Sequence, residues 1–94
     1  MLPIYWLESA EADIVDIIEY IAQFNVAAAE LMWNLLRDSV LPLSHQPYLY
    51  RQSERIPDLR EIVVHPNYIV LYRVNENSVE IVNIVHARRQ FPSS

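Results

Sequence analysis

The chain contains no cysteine, no glycine and no lysine, and each absence removes a class of chemistry. Without cysteine there is neither a disulfide framework nor a thiolate metal site, a composition suited to the reducing cytoplasm. Without glycine there is no phosphate-cradling loop and no nucleophile elbow. Without lysine there is no Schiff base; all seven basic residues are arginine, which keeps its charge and suits bidentate contacts to carboxylate or phosphate. The glycine positions of turns and helix ends fall to asparagine, and Asn25, Asn67, Asn75 and Asn77 stand where such a residue is wanted. No run approaches the ~20 apolar residues of a membrane span. The opening MLPIYWLES has no basic stretch ahead of an apolar core, so no signal peptide is expected.

What is present is one domain, residues 1–94, with 52% hydrophobic and 20% charged residues. The formal net charge is -5, whereas proteins that bind free nucleic acid are usually basic. No direct binding to free nucleic acid is therefore expected. The charge is uneven: residues 1–40 hold seven acids and Arg37 alone, and residues 41–94 hold five acids and six arginines. The acidic half reads either as a solvated helix face or as one pole of a molecule with a cationic working end.

Residues 3–8 read as a first strand, with Pro3 tolerated at its start. Ser9 is the expected N-cap of a helix whose stripe is Ile14, Ile17, Ile18 and Ile21, with Asp13, Asp16 and Glu19 away from it. That helix should stop near residues 22–24 with Asn25 as a left-handed cap. A second helix is predicted over 26–41, with Ala28, Leu31, Leu35 and Val40 marking one side. Residues 42–58 carry three prolines and read as an ordered wrap pinned by Tyr48, Leu49 and Tyr50. Three antiparallel strands follow, at 60–65, 68–74 and 79–86, joined by turns at His65-Pro66-Asn67-Tyr68 and Asn75-Glu76-Asn77-Ser78.

Turn geometry sets the expected register. Arg73 should oppose Glu80, Leu71 Val82 and Ile69 Ile84. In the other hairpin Arg60 should oppose Arg73, Ile62 Leu71 and Val64 Ile69. Arg60, Arg73 and Glu80 would then form one row, with His86 at the far end of the same face beside Asn67. Both sheet faces are apolar, so one should lie under the helices and the other under a loop or a partner. Trp6, Trp33, Tyr5, Tyr48 and Tyr50 read as core or core-edge aromatics.

The three histidines, His45, His65 and His86, show no metal-ligand spacing, so no metal or cofactor is expected. His86 with Arg88 and Arg89 is the best constellation: an imidazole to move a proton beside guanidiniums to hold an anion. The same residues could simply solvate a strand end. Arg73 with Glu80 reads as a surface ion pair. The like-charged neighbours Arg60 and Arg73 would need an acid between them, from Glu80, Glu61 or a partner.

The segments SAEADIVDIIEYIA, LPLSHQPYLY, LREIVVHPNYIVLYRV and VEIVNIVHARRQF, in this order, resemble the RelE/ParE superfamily of toxins from type II toxin–antitoxin pairs. The resemblance implies an α+β fold of order βααβββ, an antiparallel helical hairpin packed on a small, mainly antiparallel four-stranded sheet. RelE-like members cut mRNA on the ribosome with a cationic set; ParE-like members inhibit DNA gyrase. Laid on this chain, Ile62 falls near the second-strand lysine, Ile69 at the third-strand arginine and Arg88 at the arginine after the last strand, and no tyrosine follows. One of four roles is filled. Preorganised cations stabilise the charge of a phosphoryl transition state, and losing each such contact costs on the order of 10²-fold.

The resemblance therefore points to the ParE branch. Arg88, Arg89, His86 and Phe91 become the expected target-binding edge, and Arg60 and Arg73 the expected antitoxin contacts. The partners implied are a cognate antitoxin and DNA gyrase. The alternatives are a ribosome-dependent mRNA interferase using His86 and Arg88, and a binding module without toxicity.

Overall fold

The computed structural model describes residues 1–88, in the order β1 (Ile4–Trp6), α1 (Glu8–Ala22), α2 (Val26–Ser39), β2 (Arg60–His65), β3 (Tyr68–Val74) and β4 (Val79–His86). A short 3-10 turn at Leu41–Ser44, begun by Pro42, follows α2. The four strands form one sheet in the order β1-β4-β3-β2. β1 runs parallel to β4 and the other pairs are antiparallel, as the α+β expectation requires.

The sheet buries both faces. One lies under the hairpin, where Ile14, Leu36, Val40, Ile62, Val70, Tyr72 and Ile81 form the main core. The other lies under residues 51–59, where Leu59 and Ile56 cover Ile69, Leu71 and Val85. The expected loop cover is thus the wrap itself. Tyr50 packs on the main core, but Tyr48 and Leu49 are exposed.

Three local expectations change. The cap of α1 is Leu7, not Ser9: Leu7 N–H donates to Ile81 O at 2.9 Å and Leu7 O takes the first helical bond from Glu11 N–H at 3.0 Å. The strand thus hands over to the helix without a loop, and the Ser9 hydroxyl is free to donate to Val82 O. Asn25 is extended (φ -161°, ψ 106°) and caps α2, its side-chain oxygen accepting from Ala28 N–H at 2.9 Å. Helix α2 ends at Ser39 and turns Ala29 and Leu36 inward, with Val40 buried at its C-cap, leaving Leu31 71% exposed and Leu35 exposed as well.

The register is bent by two irregularities. His65 opposes Tyr68 and Arg73 opposes Glu80, as the turns dictate. A bulge between Val63 and His65 then sets Arg60 against Tyr72, Ile62 against Val70 and Val63 against Ile69. A second, at Val82, sets Leu71 against Asn83 and Ile69 against Val85. An extra residue flips everything beyond it to the other face. Arg60 consequently lies on the face of Tyr72 and Arg73 on the opposite one, and the expected row of Arg60, Arg73 and Glu80 does not form.

Candidate functional site

The bulge at Val82 and the shortness of β1 together build the site. β1 has three residues and β4 eight, so β4 beyond Ile81 has no strand on that side. Helix α1 takes the strand's place. Ser9 satisfies Val82 O, and Asp13 Oδ2 accepts from both Ile84 N–H and Asn83 Nδ2, each at 2.9 Å. Beside these bonds, between α1 and the sheet end, lies an open groove of about 400 Å³. Asp13, Asp16, Ile17 and Tyr20 line it from the helix, and Tyr68, Ile84 and His86 from the sheet.

At the sheet end the rings of His65, Tyr68 and His86 stand in sequence, with centroids 5.9 and 5.5 Å apart. Both imidazoles are held by the backbone. His65 Nδ1 accepts from Asn67 N–H at 3.1 Å, and His86 Nδ1 accepts from Arg88 N–H at 3.2 Å. By hydrogen-bond geometry the neutral rings then carry their proton on Nε2. His86 therefore offers the groove a donor, and its basic nitrogen is occupied.

The arginines are more committed than the sequence suggests. Arg37 pairs with Glu11 at 2.6 Å and lies between the rings of Trp6 and Trp33, at 4.3 and 4.4 Å. Arg51 pairs with the buried Glu61 at 2.9 Å, and Arg73 with Glu80 at 2.6 Å. The hydrogen bond from Arg73, reinforced by Asn75, holds the Glu80 carboxyl below its ordinary value. Arg60 donates to Tyr50 O at 2.7 Å and sits over Tyr48 at 5.0 Å. Arg55 donates to Ala87 O at 2.7 Å. Arg88 is exposed and makes no ion pair with another described residue.

The structure thus brings His86 and Arg88 together and separates them from Arg60 and Arg73. His86 opposes Tyr68, and Asn67 O accepts from Ala87 N–H at 2.7 Å. Arg89 and Phe91 lie outside the described residues. The sequence reading missed Asp13, Asp16, Tyr20 and Tyr68 as groove residues. The first three were legible as a polar line along α1 beside Ile17, and Tyr68 as the cross-strand neighbour of His86. Of the expected core aromatics, Trp6 and Tyr50 pack on the main core, while Tyr5 and Tyr48 are exposed. Burial pushes the Tyr72 phenol up, and its hydroxyl donates to Pro47 O at 3.0 Å.

A second groove, of about 440 Å³ and mostly apolar, crosses the helical hairpin between Ile18, Ala22, Val26, Ala29 and Trp33. Among the described residues no His, Asp and Glu cluster suits a metal ion, and no helix is long and apolar enough to cross a membrane.

Comparisons with known proteins agree with this architecture. Residues 4–91 match the family described as ParE toxin of type II toxin-antitoxin system, parDE. The toxin RelE2 of Caulobacter vibrioides is 37% identical over 89 residues, 95% of this chain and 99% of that protein. A chain of the chromosomal ParDE TA system from P. aeruginosa superposes with a TM-score of 0.79 at 19% identity, covering 92% of this chain and 96% of that one. The solution structure of the conserved protein HP0894 from Helicobacter pylori gives 0.56 at 14% identity, covering 93% and 96%. The last two are likenesses of fold.

Proposed function

The chain belongs to the ParE toxin family of type II toxin–antitoxin systems, and from that premise we propose that it binds and inhibits DNA gyrase without breaking bonds in it. The observation that carries this reading is the burial of Ile62 and Ile69, 4% and 5% exposed. The resemblance places the third-strand arginine of the RNA-cutting branch at Ile69 and its second-strand lysine near Ile62. Here they sit in the two separate cores, on opposite faces of the sheet, and neither could reach a phosphate. Two further features support it. The groove beside His86 carries the carboxylates of Asp13 and Asp16, which repel a phosphodiester. The acceptor nitrogen of His86 is taken by Arg88 N–H, so it is not free to act as a base.

The target-binding rim in this reading is His86 and Arg88, continued by Arg89 and Phe91. A cognate antitoxin silences the toxin, its apolar residues covering the hairpin groove and its acids reaching Arg60 and Arg73. Because those arginines face opposite ways, the antitoxin meets them at two separate places. At Arg73 its carboxylate competes with Glu80.

The test is a supercoiling assay with purified gyrase. The wild-type chain is expected to block supercoiling, and Arg88→Glu to weaken inhibition by roughly tenfold or more, the cost of one charge-assisted contact. Full supercoiling at saturating wild-type toxin overturns the proposal. The name of the 37%-identical relative, toxin RelE2, favours keeping one second reading, a ribosome-dependent mRNA interferase. Codon-phased cuts in translated mRNA that vanish in His86→Ala would establish it instead.

A further inference from the structure

Residues 51–59 do more than cover the second sheet face. The segment is built as a rigid platform. The hydroxyl of Ser53, a residue 3% exposed, accepts from Arg55 N–H at 3.1 Å and from Ile56 N–H at 3.2 Å. Ser53 N–H donates to Leu59 O at 2.8 Å and Leu59 N–H to Ile56 O at 2.9 Å, closing the loop on itself. Ile56 and Leu59 anchor it on the apolar face, and the pairing of Arg51 with Glu61 ties its start to β2. From this platform Arg55 reaches the end of β4 and donates through its guanidinium to Ala87 O.

That carbonyl belongs to the same peptide unit as Arg88 N–H, the group accepted by His86 Nδ1. Both polar ends of one planar peptide are therefore captured by side chains, Arg55 on the oxygen and His86 on the hydrogen. On the preceding peptide, Ala87 N–H is captured by Asn67 O. A planar unit held at both ends resists rotation, and its orientation sets the direction in which Arg88 leaves the sheet. Strand ends ordinarily fray, and among the described residues the pairing of β4 with β3 ends at His86 opposite Tyr68.

We propose that Arg55 is a positioning residue for the target-binding rim: together with His86 it locks the Ala87–Arg88 peptide and so aims Arg88 at the target. The inference rests on the reading that Arg88 belongs to that rim. Arg55 acts through the peptide, and not by touching the target. Its value is preorganisation, since a rim already oriented loses less freedom on binding.

The experiment compares the full chain with Arg55→Met, which keeps the length of the stem and removes the donors, and with Arg55→Lys, which restores one donor. Amide hydrogen exchange at Arg88 reads the lock, and the supercoiling assay reads its consequence. In Arg55→Met the Arg88 amide should exchange roughly tenfold faster or more, the loss of one charge-assisted bond, while the amides of Val70 and Tyr72 in the sheet centre keep their protection. Gyrase inhibition should weaken by roughly ten- to hundredfold with antitoxin affinity unchanged. Arg55→Lys should fall between Arg55→Met and the wild type on both scales. Unchanged exchange at Arg88 in Arg55→Met overturns the inference, as does undiminished inhibition once that amide is released. If the wild-type chain leaves gyrase untouched, the target reading falls by that arm alone, and the exchange arm still decides whether Arg55 holds the peptide.

Discussion

Asp13 is a charged helix residue that the hydrophobic stripe of α1 assigns to solvent, yet one of its oxygens serves two donors on β4. The reason is non-local. The amide of Ile84 faces a place where β1 has already ended, and a buried N–H without a partner costs about 1–3 kcal/mol. Nothing within α1 encodes that vacancy; it follows from a three-residue strand lying beside an eight-residue one. Asp13→Ala should accordingly lower the unfolding free energy by about 1–3 kcal/mol. Asp13→Asn, which keeps an acceptor oxygen, should lose markedly less. Urea denaturation of the two variants checks this, and equal midpoints would show that the oxygen is not what β4 needs. The ion pair of Arg73 and Glu80 is the opposite case. It was legible because one tight turn places the two residues face to face with no bulge between them.

At the scale of elements, both α-helices and all four strands were visible in the sequence, because apolar spacing and turn residues are local signals, while the 3-10 turn at Leu41–Ser44 was read as the start of a loop. What was not visible is how the elements join and slide. Asn25 is the clearest instance. A residue between two helices can close the first in a left-handed conformation or open the second in an extended one, and both uses favour asparagine. The structure chooses the second. The choice is testable because glycine separates the two roles. Asn25→Ala should cost about 1 kcal/mol, and Asn25→Gly only a few tenths. If Asn25 were a left-handed cap, glycine would equal or exceed asparagine. Thermal melts of the three proteins distinguish these orders. The bulges at Val82 and between Val63 and His65 were illegible for a related reason. A bulge adds one residue to one strand, and in a sheet apolar on both faces the hydrophobic pattern does not record the slip. The consequence reached the site. Arg60 and Arg73, paired by simple counting, stand on opposite faces.

Among the described residues the helical layer is covered on one side only, by the sheet. Helix α2 turns Ala29 and Leu36 inward and leaves Val26, Leu31 and Leu35 outside, with Tyr20 and Phe24 of the hairpin also exposed. A domain of this size has little stability to spare, and monomeric proteins seldom leave such a band open without a partner for it. Two effects should follow together. The isolated chain should self-associate as its concentration rises, and the antitoxin should suppress that association while raising the melting temperature. A partner that binds only the folded form at a hundredfold excess over Kd adds about 2.7 kcal/mol. The double substitution Leu31→Glu with Leu35→Glu separates this from a fault in the fold. Both side chains are exposed, so the variant should melt within about 0.5 kcal/mol of wild type. In sedimentation velocity it should run as a monomer where the wild type does not, and it should bind antitoxin more weakly. A wild-type chain that stays monomeric at every concentration, with antitoxin affinity untouched by the two glutamates, would mean that the hairpin face is simply solvated.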